Sequence, residues 1–313
     1  EHAILHLLYS RFFTKSLNKL NKKINISEPF KNLFTQGMVC HETYKDKNNK
    51  WLGPEEVFSK DGKTFFELKN KKNKVQVGPS ESMSKSKKNT IDPEEIIKNY
   101  GADAVRLFIL SDSPPEKDIQ WSEQGMLASY KFVQKFWTLH KKILNKIKDN
   151  LTEKTNESLS IYTNRLIEKF TFNLEKFNLN VIVANLYETY NFLNKEYDQN
   201  NNSENLKDNY LKILILMLPV LPHLISECIF EVEKKPEIQW PLADKKYLED
   251  KYVNIVIQIN GRKKTLIKME KDIDESSLLE KIKKDPKISD TLSKKNIDKY
   301  FIVKNKLINL LIK

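Results

Sequence analysis

The chain has 313 residues and a formal net charge of +12, with 54 Lys and Arg residues against 42 Asp and Glu residues. This length allows roughly two or three domains, and the positive surplus favours a polyanionic partner such as a nucleic acid, although a Lys- and Asn-rich composition alone also produces it. Two widely separated cysteines, Cys40 and Cys228, exclude a disulfide framework or a zinc ribbon, and no apolar run reaches the ~20 residues of a membrane span.

The first third of the chain mixes helical and strand-like segments. Residues 1–23 repeat apolar side chains near a 3.6-residue period, which predicts a helix. Residues 44–77 are Lys-rich with short alternating runs, which predicts a small β-rich insertion. Residues 78–89 are small, polar and basic, which predicts a loop. Asp92 followed by Pro93 then predicts a helix start, since Asp caps helices and Pro suits their first position.

The remainder divides into a helical part and a tail of mixed structure. Residues 122–233 keep a helical period with Asn-rich breaks, which predicts an antiparallel bundle. After a linker, residues 251–313 alternate with period two around Asn260 and Gly261, a tight hairpin turn signal, and predict a small α+β module. Core packing is the expected role of the aromatic residues spaced along the helices, which are Trp121, Trp137, Tyr187 and Tyr190.

The clearest chemical signal lies in residues 82–89, Ser-Met-Ser-Lys-Ser-Lys-Lys-Asn, here called the signature loop. A small-residue loop with a lysine before a helix suits a phosphate ligand. Hydroxyls and backbone N–H groups donate to phosphate oxygens, and the ammonium offsets negative charge. By composition alone, a solvated basic loop is the competing interpretation.

The pentapeptide at 82–86 resembles the KMSKS signature of class I aminoacyl-tRNA synthetases and matches four of its five positions. The run from 92 through 106 is similar to the stretch that follows the signature in that family. Other segments resemble the leucyl enzymes of the family in particular, so the resemblance covers the chain in order. Those segments are 1–13, 36–39, 113–122, 221–224, 240–241 and 258–262.

The resemblance implies ATP-dependent activation of leucine and transfer of the leucyl group to the 3′ end of leucine tRNA. Lys85 is the expected catalytic residue, steadying the pyrophosphate in the transition state. Mg²⁺ is expected to accompany ATP, and no metal site is expected in this piece. The other expected contacts to ATP are Met83, Ser84, Ser86 and Glu1, and those to leucine are His2 and His6.

The alternatives for these residues stay open at this point. His2 and His6, one helical turn apart, are also compatible with hydrogen-bonded core residues or with a metal pair, although no Glu follows His2 as in a zincin. Ser82 stands where the family has its first lysine, so the loop is expected to work with a weaker positive field, helped by Lys87 and Lys88.

The tail adds a candidate RNA contact. Arg262, Lys263 and Lys264 follow the predicted hairpin turn, and exposed cations beside a rigid turn can follow phosphates. The alternative is a solubilising hairpin tip. We expect tRNA binding from these three residues, named here the basic hairpin tip.

The resemblance implies a multidomain fold: the end of a Rossmann-like α/β catalytic domain in residues 1–112 with the insertion at 44–77, an all-α anticodon-binding-type helical bundle in residues 113–245, and a small α+β C-terminal domain in residues 251–313. The chain begins with Glu1 rather than Met, so we expect a fragment of a longer enzyme that is inactive alone. Expected partners are leucine tRNA, ATP and leucine, in a cytoplasmic monomer without membrane contact. The rival hypotheses are a non-catalytic tRNA-binding protein and a valine, isoleucine or methionine enzyme.

Overall fold

A computed structural model describes residues 3–21, 24–149, 154–198, 203–235, 238–249, 252–292 and 297–312. The chain divides into two units, Glu1–Leu242 and Ala243–Lys313. Within the described residues, no helix is both long and apolar enough to cross a membrane. The domain limits given above stay a prediction.

Unit 1 begins with a helical segment that has two parts. A π-helical stretch, Ala3–Ser10, continues directly into α1, Arg11–Leu20. The sequence predicted one regular helix here. None of the residues of α1 is buried, and large apolar side chains such as Leu8 and Phe12 are more than half exposed. The helical period therefore marks a face that the described chain itself does not cover.

Short strands follow. β1 (Val39–Lys45) and β2 (Trp51–Leu52) form an antiparallel pair, and β3 (Val57–Ser59) and β4 (Phe65–Glu67) form a second one. β5 (Gln76–Ser82) returns antiparallel to β1, with Cys40 opposite Ser82. The predicted β-rich insertion at 44–77 thus holds short strands. The prediction of a loop from residue 78 was wrong, because residues up to Ser82 gain ladder hydrogen bonds from β1.

Two helices lead from the signature loop to the rest of unit 1. α2 spans Pro93–Tyr100, and the Asp92 side chain caps it by accepting from the Glu94 N–H at 2.9 Å, as the Asp-Pro signal predicted. α3 spans Ala102–Ser111, and β6 (Ile119–Gln120) then pairs parallel with β1. Chain segments before and after the signature loop are therefore joined in one sheet.

The helical bundle consists of α4 (Glu123–Lys148), α5 (Glu157–Glu175), α6 (Leu179–Asp198), α7 (Leu206–Met217) and α8 (Pro222–Val232). Its buried apolar side chains recur at the predicted helical period, and burial of each large one stabilises the fold by about 2–3 kcal/mol. The predicted core aromatics Tyr187 and Tyr190 have rings 4.4 and 5.8 Å from that of Phe132, but Tyr190 is only half-buried and Tyr187 is exposed at the edge of the bundle. Among the fully buried members are Phe136, Phe170, Leu186, Ile213, Leu214 and Ile225.

A buried polar cluster joins three helices of the bundle. The His140 side chain is fully buried, with Nδ1 3.0 Å from the Tyr210 hydroxyl and Nε2 2.9 Å from a carboxylate oxygen of Glu231. A carboxylate only accepts, so Nε2–H donates to Glu231 and Nδ1 accepts from Tyr210. Burial lowers the pKa of His140, and the nearby Glu231 only partly opposes that effect. The imidazole is therefore held in its neutral form.

Unit 2 is a four-stranded sheet covered on one face by two short helices. In chain order it contains β7 (Tyr252–Ile259), β8 (Arg262–Glu270), α9 (Glu275–Lys283), α10 (Pro286–Leu292), β9 (Ile297–Val303) and β10 (Leu307–Ile312). The strand order is β8-β7-β10-β9, with β10 parallel to β7 and the other pairs antiparallel. Alternate strand residues enter the core, as the period of two predicted. They include Ile255, Ile257, Ile308 and Leu310, packed with Leu278 and Ile282.

The neutral state of His140 generates a prediction about stability and pH. A depressed folded-state pKa means that neutral His140 stabilises the fold above the unfolded pKa of ~6.5, and that this contribution is lost as the pH falls. His140→Gln should cost about 1–3 kcal/mol at pH 7.5, and the difference from wild type should shrink between pH 7 and pH 5. Urea unfolding across that pH range measures it. A pH-independent difference for His140→Gln would refute the mechanism.

Candidate functional site

The signature loop leaves the sheet at the end of β5. The Met83 N–H donates to the Val39 carbonyl at 3.2 Å, which keeps the start of the loop on β1. Two successive turns follow, because the Lys87 N–H donates to the Ser84 carbonyl and the Lys88 N–H to the Lys85 carbonyl. The hydroxyls of Ser84 and Ser86 lie 2.6 Å apart. The predicted ATP-binding residues of the loop thus lie together in one tight coil.

Asn89 holds this coil against the sheet. Its side chain is fully buried, and its Oδ1 accepts from the Ser84 N–H at 2.8 Å. Its amide nitrogen donates to the carbonyls of His41 at 3.2 Å and Glu81 at 3.1 Å. One amide therefore satisfies the loop and both neighbouring strands, and a buried amide with all its bonds made keeps one conformation.

The lysines of the loop differ in their partners. Lys87 forms an ion pair with Glu81, and Lys88 forms one with Glu56 at 3.0 Å. The Lys88 contact also lowers the pKa of Glu56, although the Gly53 N–H has the larger effect. The Lys85 side chain is exposed, and its ammonium makes no hydrogen bond or ion pair with the described residues. Lys87 and Lys88 are thus each paired with a carboxylate in a half-exposed contact, which reduces the field that they add to that of Lys85. Their expected help to Lys85 stays a prediction.

The predicted leucine and ribose contacts are only partly visible. Glu1 and His2 lie outside the described residues, so their predicted roles are untested. His6 lines a cavity of about 320 Å³ together with residues of the segment 30–36. Its ring packs edge-on against Phe30, with centroids 5.9 Å apart. The cavity combines apolar walls with the polar side chains of Thr35 and Gln36.

Hydrogen bonds to β10 hold the turn that precedes the basic hairpin tip of unit 2. Asn260 and Gly261 adopt positive φ angles of 48° and 77°, as a type I′ turn requires. Asn260 Oδ1 accepts from the Ile312 N–H at 3.0 Å, and the Gly261 N–H donates to Asn309 Oδ1 at 3.0 Å. A shift of strand register at Gln258 adds one residue to β8 beside the turn. Arg262, Lys263 and Lys264 are all exposed on this braced turn.

The cysteines and tryptophans named in the sequence analysis have packing contacts. Cys40 and Cys228 are buried, and burial raises the pKa of Cys228 to about 12, so that its thiol stays protonated. Trp137 stacks on His140 with centroids 5.4 Å apart, and Trp121 packs on Phe108 at 5.2 Å. In the part of the chain that the structure describes, no group of three or more His, Cys, Asp or Glu side chains is placed to hold a metal ion.

Sequence reasoning missed the residues that organise the loop. The sequence places Asn89 at the end of the signature loop but indicates no role for it, and it does not single out Glu56 or Glu81. The local pattern offers a weak signal for Asn89 alone, an amide shortly before a capped helix. Nothing local identifies the two carboxylates, because Glu56 lies 32 residues before its partner Lys88.

Comparison with known proteins gives consistent matches. A model of the anticodon-binding domain of tRNA ligase matches residues 156–284, and a model of class I tRNA synthetases (I, L, M and V) matches residues 75–122. Leucine–tRNA ligases of Wolbachia pipientis are 40% identical over 320 residues in strain wPip and 42% identical over 318 residues in wMel. These alignments cover 100% of this chain but 37% and 36% of the relatives.

A solved structure shares the fold. The LeuRS–tRNA–LeuAMS ternary complex from Agrobacterium radiobacter K84 superimposes with a TM-score of 0.66 at 24% identity, over 100% of this chain and 36% of that one. The chain therefore spans a little over a third of the length of the curated relatives that it matches. The prediction of a synthetase with an anticodon-binding domain is confirmed at that level.

The position of Asn89 generates the second prediction. Asn89→Ala should loosen the signature loop and cost about 1–3 kcal/mol, because three partly buried backbone groups lose their partner. Asn89→Asp should be at least as damaging, since a carboxylate cannot donate to the carbonyls of His41 and Glu81. Urea unfolding and limited proteolysis at Lys85 measure both effects. Asn99→Asp, an exposed position on α2, is the control, and a tolerated Asn89→Asp would contradict the assigned amide geometry.

Proposed function

We propose, because this chain belongs to the leucine–tRNA ligase family of class I aminoacyl-tRNA synthetases, that it supplies the signature loop and tRNA-binding parts of an enzyme that activates leucine with ATP and charges leucine tRNA. The observation that carries the proposal is the match to leucine–tRNA ligases along the whole chain, at 37–42% identity. We assign to this chain only the steps that its own residues can perform.

The proposed first step is attack of a leucine carboxylate oxygen on the α-phosphate of ATP. A new P–O bond forms to leucine, the bond to the β-phosphate oxygen breaks, and pyrophosphate leaves with the electron pair. Negative charge grows on the leaving group, so a nearby unpaired ammonium stabilises the transition state more than the ground state. Lys85 suits this role because no described carboxylate neutralises it. Mg²⁺ bound with ATP would offset charge on the same phosphates.

The remaining loop residues are proposed to position ATP. Ser84 and Ser86 share a hydrogen bond at 2.6 Å, which leaves a hydroxyl proton to donate to a phosphate oxygen. Met83 is fixed to β1 through its N–H and holds the chain at the edge of the site. Asn89 keeps the coil in the shape that ATP would meet, so that less ordering is required on binding.

Leucine is proposed to occupy the cavity beside His6. His2 is proposed as a further contact to leucine, and Glu1 as an acceptor for the ribose hydroxyls of ATP. The cavity has apolar walls from Phe30 and Phe34 that suit a branched aliphatic side chain. The exposed apolar side chains of Ala3–Ser10 and α1 fit burial by further catalytic-domain structure. We propose that this part is the end of a Rossmann-like domain, followed by an anticodon-binding-type bundle and a small α+β domain.

The tail is proposed to contact the body of the tRNA through phosphates. Arg262, Lys263 and Lys264 are exposed at the start of β8, directly after a turn braced by Asn309, so their charges are presented with little loss of backbone entropy. Contacts of this kind position RNA without reading its bases. The intact protein is proposed to act as a monomer in the cytoplasm.

The free ammonium of Lys85 generates the third prediction. In the full-length protein, Lys85→Ala should slow leucine-dependent pyrophosphate exchange about a hundredfold, because a transition-state contact of ~3 kcal/mol is lost, with a much smaller change in the KM for ATP. Lys87→Ala and Lys88→Ala remove the same charge from the same loop. They should leave the rate within about threefold of wild type, since Glu81 and Glu56 already engage those groups.

Three outcomes would contradict this scheme. Equal losses from all three lysine variants would mean that the loop acts through its total charge and not through Lys85. Exchange that depends on valine, isoleucine or methionine in place of leucine would overturn the substrate assignment. A wild-type protein that binds tRNA but supports no exchange would be a non-catalytic tRNA-binding protein.

The basic hairpin tip generates the fourth prediction. Replacing Arg262, Lys263 and Lys264 together by Gln should raise the Kd for leucine tRNA about tenfold at 0.1 M salt and reduce the log-log salt slope by about two. Filter binding across a salt series measures both, and pyrophosphate exchange should stay unchanged.

The matched control for this prediction lies on α9. Replacement of Lys281, Lys283 and Lys284 by Gln removes the same charge from exposed positions of the same unit. If the two triple variants weaken tRNA binding equally, only the total charge of unit 2 matters and the hairpin tip has no special role.

A further inference from the structure

The last helix of the bundle, α8, begins without a cap from its own sequence. The residue before it, Leu221, offers no side-chain hydrogen bond, and Pro222 at the first position has no N–H. The Leu224 N–H instead donates to Oδ2 of Asp103 at 2.7 Å. The partner lies 121 residues earlier, so a side chain of α3 takes the place of the missing N-cap.

The Asp103 carboxylate is nearly buried and has further polar partners besides Leu224. Its side chain is only 7% exposed, and its Oδ1 lies 2.9 Å from a guanidinium nitrogen of Arg106 and 3.2 Å from Nδ1 of His223. The carboxylate also faces the positive N-terminal end of α8, where a negative charge is favoured. A guanidinium group, an imidazole nitrogen and one backbone N–H thus converge on one nearly buried carboxylate, which fixes α3 to α8.

The same contact lies at the end of a short, rigid path from the signature loop. Asn89 fixes the loop to the sheet, Asp92 caps α2 three residues later, and α2 ends at Gly101. Gly101 has a φ of +82°, a value that residues with a Cβ rarely adopt, and α3 starts immediately after it. Asp103 is the second residue of α3, so α2 and the first residues of α3 connect it to Asn89, the residue that anchors the loop.

The two ends of this path belong to different functional parts. Residues 75–122, which include Asp103, match the class I synthetase model, whereas residues 156–284, which include Leu224, match the anticodon-binding model. In the sequence, the run at 100–106 resembled the stretch that follows the signature in class I synthetases, and the run at 221–224 resembled leucyl enzymes. Neither has a role in the chemistry proposed above. The Asp103 contact joins these two runs.

We propose that Asp103 is a positioning residue that couples the signature-loop segment to the helical bundle, so that transfer of the leucyl group to bundle-bound tRNA depends on the carboxylate that caps α8. The inference rests on the proposed function for its catalytic part. In the proposed function, activation of leucine uses the catalytic part without tRNA, and tRNA binding uses the bundle and the basic hairpin tip. Transfer needs both in one fixed relation, so it is the step that loss of the contact slows.

The test uses the full-length protein with Asp103→Ala, which removes the acceptor, and Asp103→Asn, which keeps an acceptor for Leu224 and loses the charge. Asp103→Leu replaces the Ala variant if that variant does not fold, because Leu has a similar size without an acceptor. The control is Asp208→Ala, which removes an exposed carboxylate of α7 that is paired with Lys212.

The first measurement does not depend on enzymatic activity. Hydrogen exchange of the amides at the start of α8 should accelerate about tenfold or more in Asp103→Ala, and stay near wild type in Asp103→Asn and Asp208→Ala. In the second measurement, the kcat for tRNA charging should fall about tenfold in Asp103→Ala and be largely restored in Asp103→Asn. Pyrophosphate exchange and the Kd for tRNA should change less than about twofold in every variant.

Each outcome decides a separate point. Unchanged exchange at α8 in Asp103→Ala would overturn the capping contact itself. Faster exchange at α8 with a proportional loss of activation, tRNA binding and charging would mean that Asp103 only stabilises the fold, and the coupling would be wrong. A wild-type protein that does not charge leucine tRNA would refute the proposed function and with it the coupling, whereas the exchange arm would still decide the capping contact.

Discussion

The buried amide of Asn89 is the interaction on which the site depends. A loop that must present N–H groups and hydroxyls outward cannot use those groups to hold itself in place. Asn89 holds the loop from its buried side. Its Oδ1 accepts from the Ser84 N–H, and its amide nitrogen donates to carbonyls of β1 and β5. Because the amide is fully buried, water does not compete for these bonds. The outer surface of the loop is thereby left for a ligand.

The lysines of the loop also divide into those that hold the structure and one that is available to a ligand. Lys87 and Lys88 are paired with Glu81 and Glu56, so they tie the loop to β5 and to the insertion and add little net field. Lys85 keeps its charge unopposed by the described residues. A single free ammonium at a defined place discriminates between charge states of a reacting phosphate better than a diffuse basic surface, because its effect depends steeply on distance. The serine at position 82 fits this arrangement, since it ends a paired strand and is not part of the coil.

The signature loop and the basic hairpin tip, the candidate contacts for nucleotide and RNA, are both short exposed segments. Each is held by the side chain of a buried or half-buried asparagine. Asn89 supports the signature loop. Asn309 of β10 accepts from the Gly261 N–H in the turn before the basic hairpin tip, and Asn260 in that turn accepts from the Ile312 N–H of β10. In each case a side-chain amide satisfies backbone groups that a tight turn leaves unpaired. The segment that contacts a ligand is therefore ordered before binding, which reduces the entropy lost in the complex.

The sequence by itself determined the elements whose signals are local. The helical period placed the bundle, the alternation and the Asn260-Gly261 pair placed the unit 2 hairpin, Asp92-Pro93 placed the start of α2, and the signature pentapeptide singled out Lys85. Those signals are local because they depend on backbone angles and on periodicity within a few residues. Only the tertiary structure decided that residues 76–82 form a strand, that Lys87 and Lys88 are paired with carboxylates, and that Asp103 caps α8. These contacts join groups up to 121 residues apart, and no local pattern encodes which distant partner a charged or buried polar side chain will meet.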